Sequence, residues 1–299
     1  MAHPGRPWSK PCAQVSCDSP VIVAIPALMP SGAKTFDERF LAFVDVMGFR
    51  SLVDKMAKDS SLFESTRDVL KTVARQARQM KEYRASEQEG RRQLRHQLRR
   101  QGQILVSAPA SLEMTAFSDC YVLSEKYRAW QVLAAAQALG AHFIEKGIFY
   151  RGAVVHGLAF HHEAVLFGPA VIEAYDLETR VAKYPRILVT DAVRDAAWGY
   201  HEGTCKGRLF IRDTDGCWFL NVLVPPLSRW KVLSDLAAHR DARRFLRGVR
   251  VHLVRHLAAA GHDLRFLSTV RWLTHHFNVE ARQHGDVEPI EVVDGPPKR

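Results

Sequence analysis

The feature that most constrains this chain is a carboxylate set inside an apolar run, LAFVDVMGFR, at residues 41–50. A short run of this kind predicts a β-strand that is buried on both faces. Burial of an ionised carboxylate such as Asp45 is unfavourable unless a partner compensates it, and a metal ion is a common partner. Gly48 then permits the main chain to approach a ligand closely. The run therefore predicts a buried strand that carries a site.

A second stretch of the same kind, TAFSDCYVLS, sets Asp119 between apolar flanks. Two carboxylates in buried strands or tight turns suit a phosphate site with two Mg²⁺ or Mn²⁺ ions. The backbone carbonyl of Val46 could complete the metal shell, so we predict a metal site at Asp45, Val46 and Asp119. Structural roles stay open, because a buried Asp can bond to backbone N–H groups and a turn Asp is common.

The residues around Asp45 predict contacts to a nucleotide. Alternation along a strand places Phe43 on the same face as Asp45, where its ring could stack on a bound base. After Val46, the turn at Gly48 and the start of the next helix offer backbone N–H groups to phosphates. Arg50 adds a fixed positive charge at that point.

The pattern beyond this strand alternates between strand and helix signals. We predict a helix over 50–81, strands over 112–117, 120–124, 150–160 and 186–190, helices over 129–146 and 168–183, a hairpin of 208–212 with 217–222, and two C-terminal helices broken at Gly261. This order predicts an α+β fold with a mixed, mainly antiparallel sheet and packed helices.

The composition along the chain suggests three parts. Residues 1–35 are rich in Pro, Gly and Ser and predict a poorly structured leader. Residues 36–225 form the main domain, and 82–104 form a basic insertion or arm within it. Residues 226–299 form a C-terminal helical extension.

The net charge of +10 suggests a polyanionic partner, which could be nucleic acid, acidic lipid or a nucleoside triphosphate. Residues 81–100, however, carry seven Lys and Arg against three Glu, so much of the excess lies on one solvated segment. No aromatic interleaving or nucleic-acid-binding motif accompanies them. We therefore predict no nucleic-acid partner, and keep a nucleic-acid-binding accessory role as a weaker alternative.

The cysteines and the apolar runs bear on where the protein is located and on which cofactors it could bind. Five cysteines at irregular spacings contain no C-x-x-C pair, which argues against a zinc ribbon or a thioredoxin motif. Cys120, beside Asp119, fits a small buried apolar residue. The longest early apolar run, Val21–Met29, contains Pro26 and is too short to span a bilayer. We expect a cytoplasmic protein with no membrane partner.

The motifs occur in an order that resembles a known family. FVDVMGF, FSD, YRGAVVHG, GPAVIEAYDLE and PRILV follow one another as the corresponding motifs do in class III nucleotide cyclases. The resemblance is greatest to the Pycsar antiphage-defence pyrimidine cyclases, with their pattern FxDxxGF, FSDS, RGxxxG and GPAxxEAYxLE followed by YPR. It covers roughly residues 38–192, and the combination is more specific than any single motif.

The chain departs from the ordinary class III pattern at informative positions. Ser118 stands where that family has glycine. Ile172 and Asp176 stand where it has the Asn and Arg that steady the ribose and the transition state. These changes argue against a purine cyclase, and the transition-state cation would then come from Arg151 or Arg186.

The resemblance implies a class III cyclase-like sandwich that converts UTP to cyclic 3′,5′-UMP and pyrophosphate by two-metal catalysis. It implies a homodimer with sites at the interface and a product that acts on a separate effector protein in antiphage defence. A CTP substrate, and a catalytically silent nucleotide-binding module, stay open as alternatives. The catalytic residues would be Asp45 and Asp119, and the nucleotide-binding residues would be Phe43, Val46, Gly48, Arg50, Glu173, Tyr175 and Arg186.

Overall fold

The computed structural model describes residues 36–100, 112–199, 208–224, 242–283 and 287–292, and the predicted leader lies outside them. The strands in these residues are β1 Asp37–Val46, β2 Glu113–Phe117, β3 Cys120–Glu125, β4 Tyr150–His162, β5 Val165–Phe167, β6 Ile187–Val189, β7 Phe210–Arg212 and β8 Trp218–Leu220. The helices are α1 Phe49–Met56, α2 Ser60–Arg100, α3 Ala129–Glu145, α4 Pro169–Arg180, α5 Asp191–Ala196, α6 Ala242–Ala259 and α7 Leu264–Ala281.

The strands form one sheet in the order β2–β3–β1–β4–β6–β8–β7, and β5 pairs with the end of β4. Every pairing is antiparallel except that of β4 with β6. The strand β1 is central, because it pairs with β3 on one side and with β4 on the other. A mixed, mainly antiparallel sheet with packed helices, as predicted, is confirmed for the part of the chain described.

The central position of β1 accounts for its apolar sequence, because both of its faces are covered by other parts of the protein. Ala42 and Val44 are fully buried on one face of the sheet, within the larger hydrophobic core. Leu41 is fully buried on the opposite face, which it shares with Phe43 and Asp45 by alternation. The prediction of a strand buried on both faces is confirmed.

The larger core lies between the sheet and the helices α3, α6 and α7. The first sixteen residues of α3 include many alanines, and nearly all are buried. A Cβ at Gly140 would lie 2.8 Å from Val222 Cγ1 and 3.0 Å from the Tyr150 ring, so only glycine lets these elements approach so closely. The C-terminal helices add Phe245 and Phe277 to this same core.

On the second face, α4 packs across β1 and β4. Ala170 and Ala174 of this helix contact a small apolar cluster that includes Leu41 and Val155. These short side chains let the helix lie close to the sheet. The β2–β3 hairpin extends past this cover, and Phe117 near its tip is 80% exposed. At the end of β1 beside that hairpin, the Asp45 side chain is 17% exposed.

The helix predicted over 50–81 is instead two helices, α1 and α2. The break has a local cause, because the Asp59 side chain accepts the Leu62 N–H at 3.0 Å and so begins a new helix. The second helix then continues through Gly90 to its end. It contains the described part of the predicted arm 82–104, whose last four residues lie outside the described ranges.

The two predicted C-terminal helices, broken at Gly261, are confirmed as α6 and α7. Asp263 begins α7 by accepting the Phe266 N–H at 2.9 Å. The described part of the extension 226–299 shares the core of the sheet, whereas its first residues lie outside the described ranges. Among the helices of the described residues, none combines the length and the apolar character that a membrane span requires.

A buried arginine joins the sheet to α7. The Arg186 side chain is fully buried and forms ion pairs with Asp213 and Asp215 of the β7–β8 turn. Trp272 of α7 donates its indole N–H to the same Asp213 carboxylate at 2.8 Å. The Tyr184 ring stacks on Trp272 with centroids 5.3 Å apart. The hairpin and α7 are thus held by one charged, hydrogen-bonded network.

Candidate metal and nucleotide site

The end of β1 meets the tip of the β2–β3 hairpin, where the predicted acidic residues lie. Asp45 pairs across the sheet with Cys120 of β3 and with Arg151 of β4. Asp119 lies in the hairpin turn, and its carbonyl oxygen accepts the Val46 N–H at 3.1 Å. Because this main-chain bond fixes the turn against β1, the fold brings both predicted carboxylates to one place.

One departure from the class III pattern, Ser118, lies in the hairpin turn. Ser118, where that pattern has glycine, has a φ of 55°. This left-handed conformation is open to glycine without a steric penalty but is uncommon for other residues. The chain therefore keeps a turn that suits glycine while placing a serine in it.

Three side chains at this junction form a group of possible metal ligands. One oxygen of Asp45, one of Asp119 and the Sγ atom of Cys120 all lie within 4.8 Å of one another. Mg²⁺ and Mn²⁺ prefer oxygen ligands and commonly use one or two carboxylates together with substrate phosphates. The donor set therefore fits a divalent cation.

The electrostatics of the group favour a cation as well. Burial raises the pKa of Asp45, and the nearby Asp119 charge raises this pKa further, whereas the Cys120 hydrogen bond and Arg151 act in the opposite direction. Burial also raises the pKa of Cys120 to about 12, so without a cation the thiol keeps its proton at neutral pH. A positive charge between these groups would remove the repulsion.

An ion pair that the sequence did not reveal lies beside the carboxylates. Arg151 Nε lies 3.9 Å from Asp45 Oδ2 and forms an ion pair with Glu178 of α4, whose side chain is only 2% exposed. Spacing could have indicated Glu178, because Ala170, Ala174 and Glu178 are four residues apart and form the buried stripe of α4. The site thus contains a third acidic residue and one arginine.

The buried Glu178 side chain should make the stability of the folded protein depend on pH. Burial raises its pKa from 4.5 to about 7, Arg151 partly offsets this, and Asp45 and Asp119 add to it. Between these pH values the unfolded chain has lost a proton that the folded chain keeps. In the absence of divalent cations, the contribution of Glu178 to the free energy of unfolding should therefore be greatest below about pH 4.5. It should fall as the pH rises to about 7. Urea unfolding measured across this range checks the slope.

Glu178→Gln should flatten that slope, because the amide has no proton to release. Glu173→Gln is the matched control, since Glu173 is exposed on the same helix and should leave the slope unchanged. A slope as steep in Glu178→Gln as in the parent protein would contradict the assignment of the pH dependence to Glu178.

Two of the predicted nucleotide-binding residues, Phe43 and Tyr175, lie together on the second face of the sheet. The half-buried Phe43 ring contacts the Tyr175 ring edge-on, with centroids 5.8 Å apart. Tyr175 is 51% exposed, and Glu173 is exposed on the same helix. Phe43 precedes Asp45 by two residues on one face of β1, so this aromatic pair adjoins the acidic group. Base binding by these residues stays a prediction.

The residues after β1 form a tight turn into α1. Gly48 has a φ of 68°, which favours glycine, and its carbonyl oxygen accepts the Leu52 N–H at 3.0 Å. Arg50 is exposed in the first turn of α1. Contacts of Val46, Gly48 and Arg50 with phosphate stay predictions from the sequence. The Arg50 side chain is exposed and does not pack in the core.

The prediction that Arg186 binds the nucleotide needs correction. Its guanidinium is fully buried and is engaged by Asp213 and Asp215, away from solvent. Because the side chain is fully buried and these carboxylates compensate its charge, it is not exposed to a triphosphate. Of the two arginines considered for the transition state, the structure brings Arg151 to the carboxylates.

Neither a protein-family model nor a curated protein sequence matches the chain. Among solved structures, the chain is similar to a bacterial light-regulated adenylyl cyclase, with a TM-score of 0.37 and 14% sequence identity. The similarity covers 72% of this chain and 59% of that one, so it spans less than two thirds of the cyclase. The side chains described above carry the functional conclusions that follow.

Proposed function

We propose that the protein is a divalent-metal-dependent nucleotide cyclase. The observation that carries this proposal is the convergence of Asp45 and Asp119 at one end of the sheet, with ligand atoms within 4.8 Å. The order of motifs that resembles class III cyclases supports the same activity. Two Mg²⁺ or Mn²⁺ ions, when bound, would activate the ribose 3′-hydroxyl and stabilise the departing pyrophosphate.

The residues of the chain bind and orient the substrate in this reaction. Asp45 and Asp119, with the Val46 carbonyl, would hold the ions. Gly48 and Arg50 would face the triphosphate, where the N-terminus of α1 favours negative charge. The 3′-oxygen attacks the α-phosphorus, the bond to pyrophosphate breaks, and the hydroxyl proton leaves to solvent.

Arg151 is the candidate for stabilising charge in the transition state. Its guanidinium lies 3.9 Å from an Asp45 oxygen and is held in place by Glu178. A positioned cation of this kind contributes most where negative charge develops on the phosphoryl oxygens. Of the two arginines considered for this role, we therefore propose Arg151.

We further propose a pyrimidine substrate, UTP in preference to CTP. The resemblance to Pycsar cyclases supports it, as does the absence of the class III Asn and Arg. Ile172 is 65% exposed on α4, and Asp176 pairs with Arg180 at 3.2 Å. UTP and CTP differ at position 4 of the ring, a carbonyl acceptor against an amino donor, and at N3, a donor in uracil and an acceptor in cytosine, so polar contacts to this edge would decide between them.

A test of base binding uses Phe43→Leu, which keeps most of the packing and removes the aromatic face. We expect weaker substrate binding by about 1–3 kcal/mol, the usual value of a base–aromatic contact. The measurement is the KM for UTP together with the free energy of unfolding. Tyr175→Leu should act in the same direction with little effect on stability, because Tyr175 is half exposed. Unchanged kinetics in both folded variants would assign these rings to packing alone.

The proposal includes a homodimer with its sites at the interface. The outer face of α4 supports it, because Ile172 and Tyr175 expose large hydrophobic side chains there. Ile172 also lines a shallow depression with Glu173 and Asp176. A second copy placed there would complete the base pocket, and the cyclic product would act on a separate effector protein in antiphage defence.

The alternative is a catalytically silent module that binds a nucleotide without converting it. One experiment separates the two functions. The purified protein is incubated with each of the four nucleoside triphosphates and Mn²⁺, and the products are identified by mass. A cyclic monophosphate with equimolar pyrophosphate supports the cyclase, whereas nucleotide binding without pyrophosphate release supports the silent module.

A further inference from the structure

Cys120 occupies a position in the acidic group that the cyclase chemistry above does not use. It opens β3 opposite Asp45, and its thiol donates a hydrogen bond to Asp45 Oδ1 at 3.3 Å. Its Sγ atom also lies within 4.8 Å of an Asp119 oxygen. The sequence analysis predicted that Cys120 is a small buried apolar residue, whereas in the structure its sulfur lies near the carboxylates of Asp45 and Asp119.

The distances suit a metal ion in place of the thiol proton. With ordinary Zn–O and Zn–S bond lengths, an oxygen and a sulfur on a tetrahedral ion lie about 3.5 Å apart. The observed distance from Sγ to Asp45 Oδ1 is 3.3 Å. An ion bound across this edge would therefore need little movement of either side chain.

We propose that Cys120 is a third ligand of the metal site and gives it a preference for thiophilic divalent cations, such as Zn²⁺ and Co²⁺, over Mg²⁺. Thiolate sulfur binds these cations strongly, whereas Mg²⁺ takes oxygen ligands. On binding, the S–H bond breaks, the proton passes to water, and a bond from sulfur to metal forms. This inference rests on the metal-binding part of the proposed function and does not depend on the identity of the nucleotide.

The test follows Co²⁺ binding to the full-length protein by the ultraviolet charge-transfer absorption of a cobalt–thiolate bond. The chain contains five cysteines, so the parent for this test carries serine at Cys12, Cys17, Cys205 and Cys217. Cys120 is then the remaining sulfur donor of this kind. The variants compared are this parent, the parent with Cys120→Ser, and the parent with Asp45→Asn. Mn²⁺ binding is measured on the same proteins by electron paramagnetic resonance.

We expect the parent to show the cobalt–thiolate band and Cys120→Ser to lose it. Asp45→Asn should retain the thiol but weaken Co²⁺ binding about tenfold or more, because the carboxylate is a shared ligand. Cys120→Ser should weaken Co²⁺ binding to the same degree and leave Mn²⁺ affinity within about threefold, since Mn²⁺ prefers oxygen.

The results distinguish this inference from the proposed function. Mn²⁺ binding that depends on Asp45, together with no cobalt–thiolate band in a folded parent, overturns the role of Cys120 and leaves the proposed metal site intact. A band that persists unchanged in Asp45→Asn overturns the shared site. If neither Mn²⁺ nor Co²⁺ binds to the parent, both the inference and the proposed metal site are wrong.

Discussion

We expect Asp45→Asn to lower metal-dependent formation of cyclic nucleotide by at least about a thousandfold, because a lost metal ligand removes several kcal/mol of charge stabilisation in the transition state. Asp119→Asn should have a similar effect, since both side chains belong to one group of ligands. The measurement is product formed per unit time at saturating Mn²⁺, with the fold checked by circular dichroism.

The same variant should be more stable than the parent without divalent cations. Burial and the Asp119 charge raise the pKa of Asp45, so its ionised form is disfavoured in the folded protein at neutral pH. A simple loss of structure would have the opposite effect on stability. A higher free energy of unfolding combined with lost activity is therefore the expected signature.

Asp37→Asn is the matched control for Asp45→Asn. Asp37 lies on the same strand and the same face but at the far end, where Lys126 contacts it at 2.7 Å. It should change activity by less than about twofold, because a surface ion pair contributes little. Activity within tenfold of the parent in Asp45→Asn at saturating Mn²⁺ would contradict the two-metal assignment.

We expect Asp213→Ala to destabilise the protein by about 3 kcal/mol or more, since breaking a buried pair leaves the remaining charge uncompensated. The Arg186 side chain is fully buried and that of Asp213 is 6% exposed. The change also removes the acceptor of the Trp272 indole N–H. Chemical unfolding at neutral pH measures the loss, and near-ultraviolet circular dichroism reports the surroundings of Trp272.

Asp215→Ala is the control for this second prediction. Asp215 pairs with the same arginine, but its side chain is 43% exposed. Its hydrogen bond from Arg186 lowers the pKa of the carboxyl group. The stability it contributes is therefore present at neutral pH and lost as the pH falls through that lowered pKa. We expect less than half the effect of Asp213→Ala, and equal losses would contradict the dependence on burial.

The sequence was sufficient where one local pattern decided the structure. The apolar run around Asp45 predicted β1 as a strand buried on both faces, and the apolar flanks of Asp119 predicted the strands β2 and β3. Both were correct, because a central strand must be apolar on each side. The proximity of Asp45 and Asp119 follows from the pairing of these elements, although their catalytic roles stay predictions.

The sequence was insufficient where partners came from distant elements. Arg186 was considered because Asp176 stands where the class III pattern has its Arg and another cation was needed, but its partner carboxylates lie in a turn formed by later strands. Glu178 was given no role, because its partner Arg151 is on β4 and only the packing of α4 brings them together. The break before α2 was missed because the helical periodicity hid the Asp59 cap.

The central position of β1 has a consequence for synthesis and folding. Its partner Cys120 lies 75 residues after Asp45, and β4 lies further still. When β1 leaves the ribosome, both of its edges are unpaired and remain so while the long helix α2 is made. Contacts so distant in sequence form slowly, and apolar strands with open edges tend to aggregate. A nascent chain halted before the β2–β3 hairpin would therefore carry Asp45 without Asp119 and Cys120, and chaperone binding to β1 would favour its correct pairing.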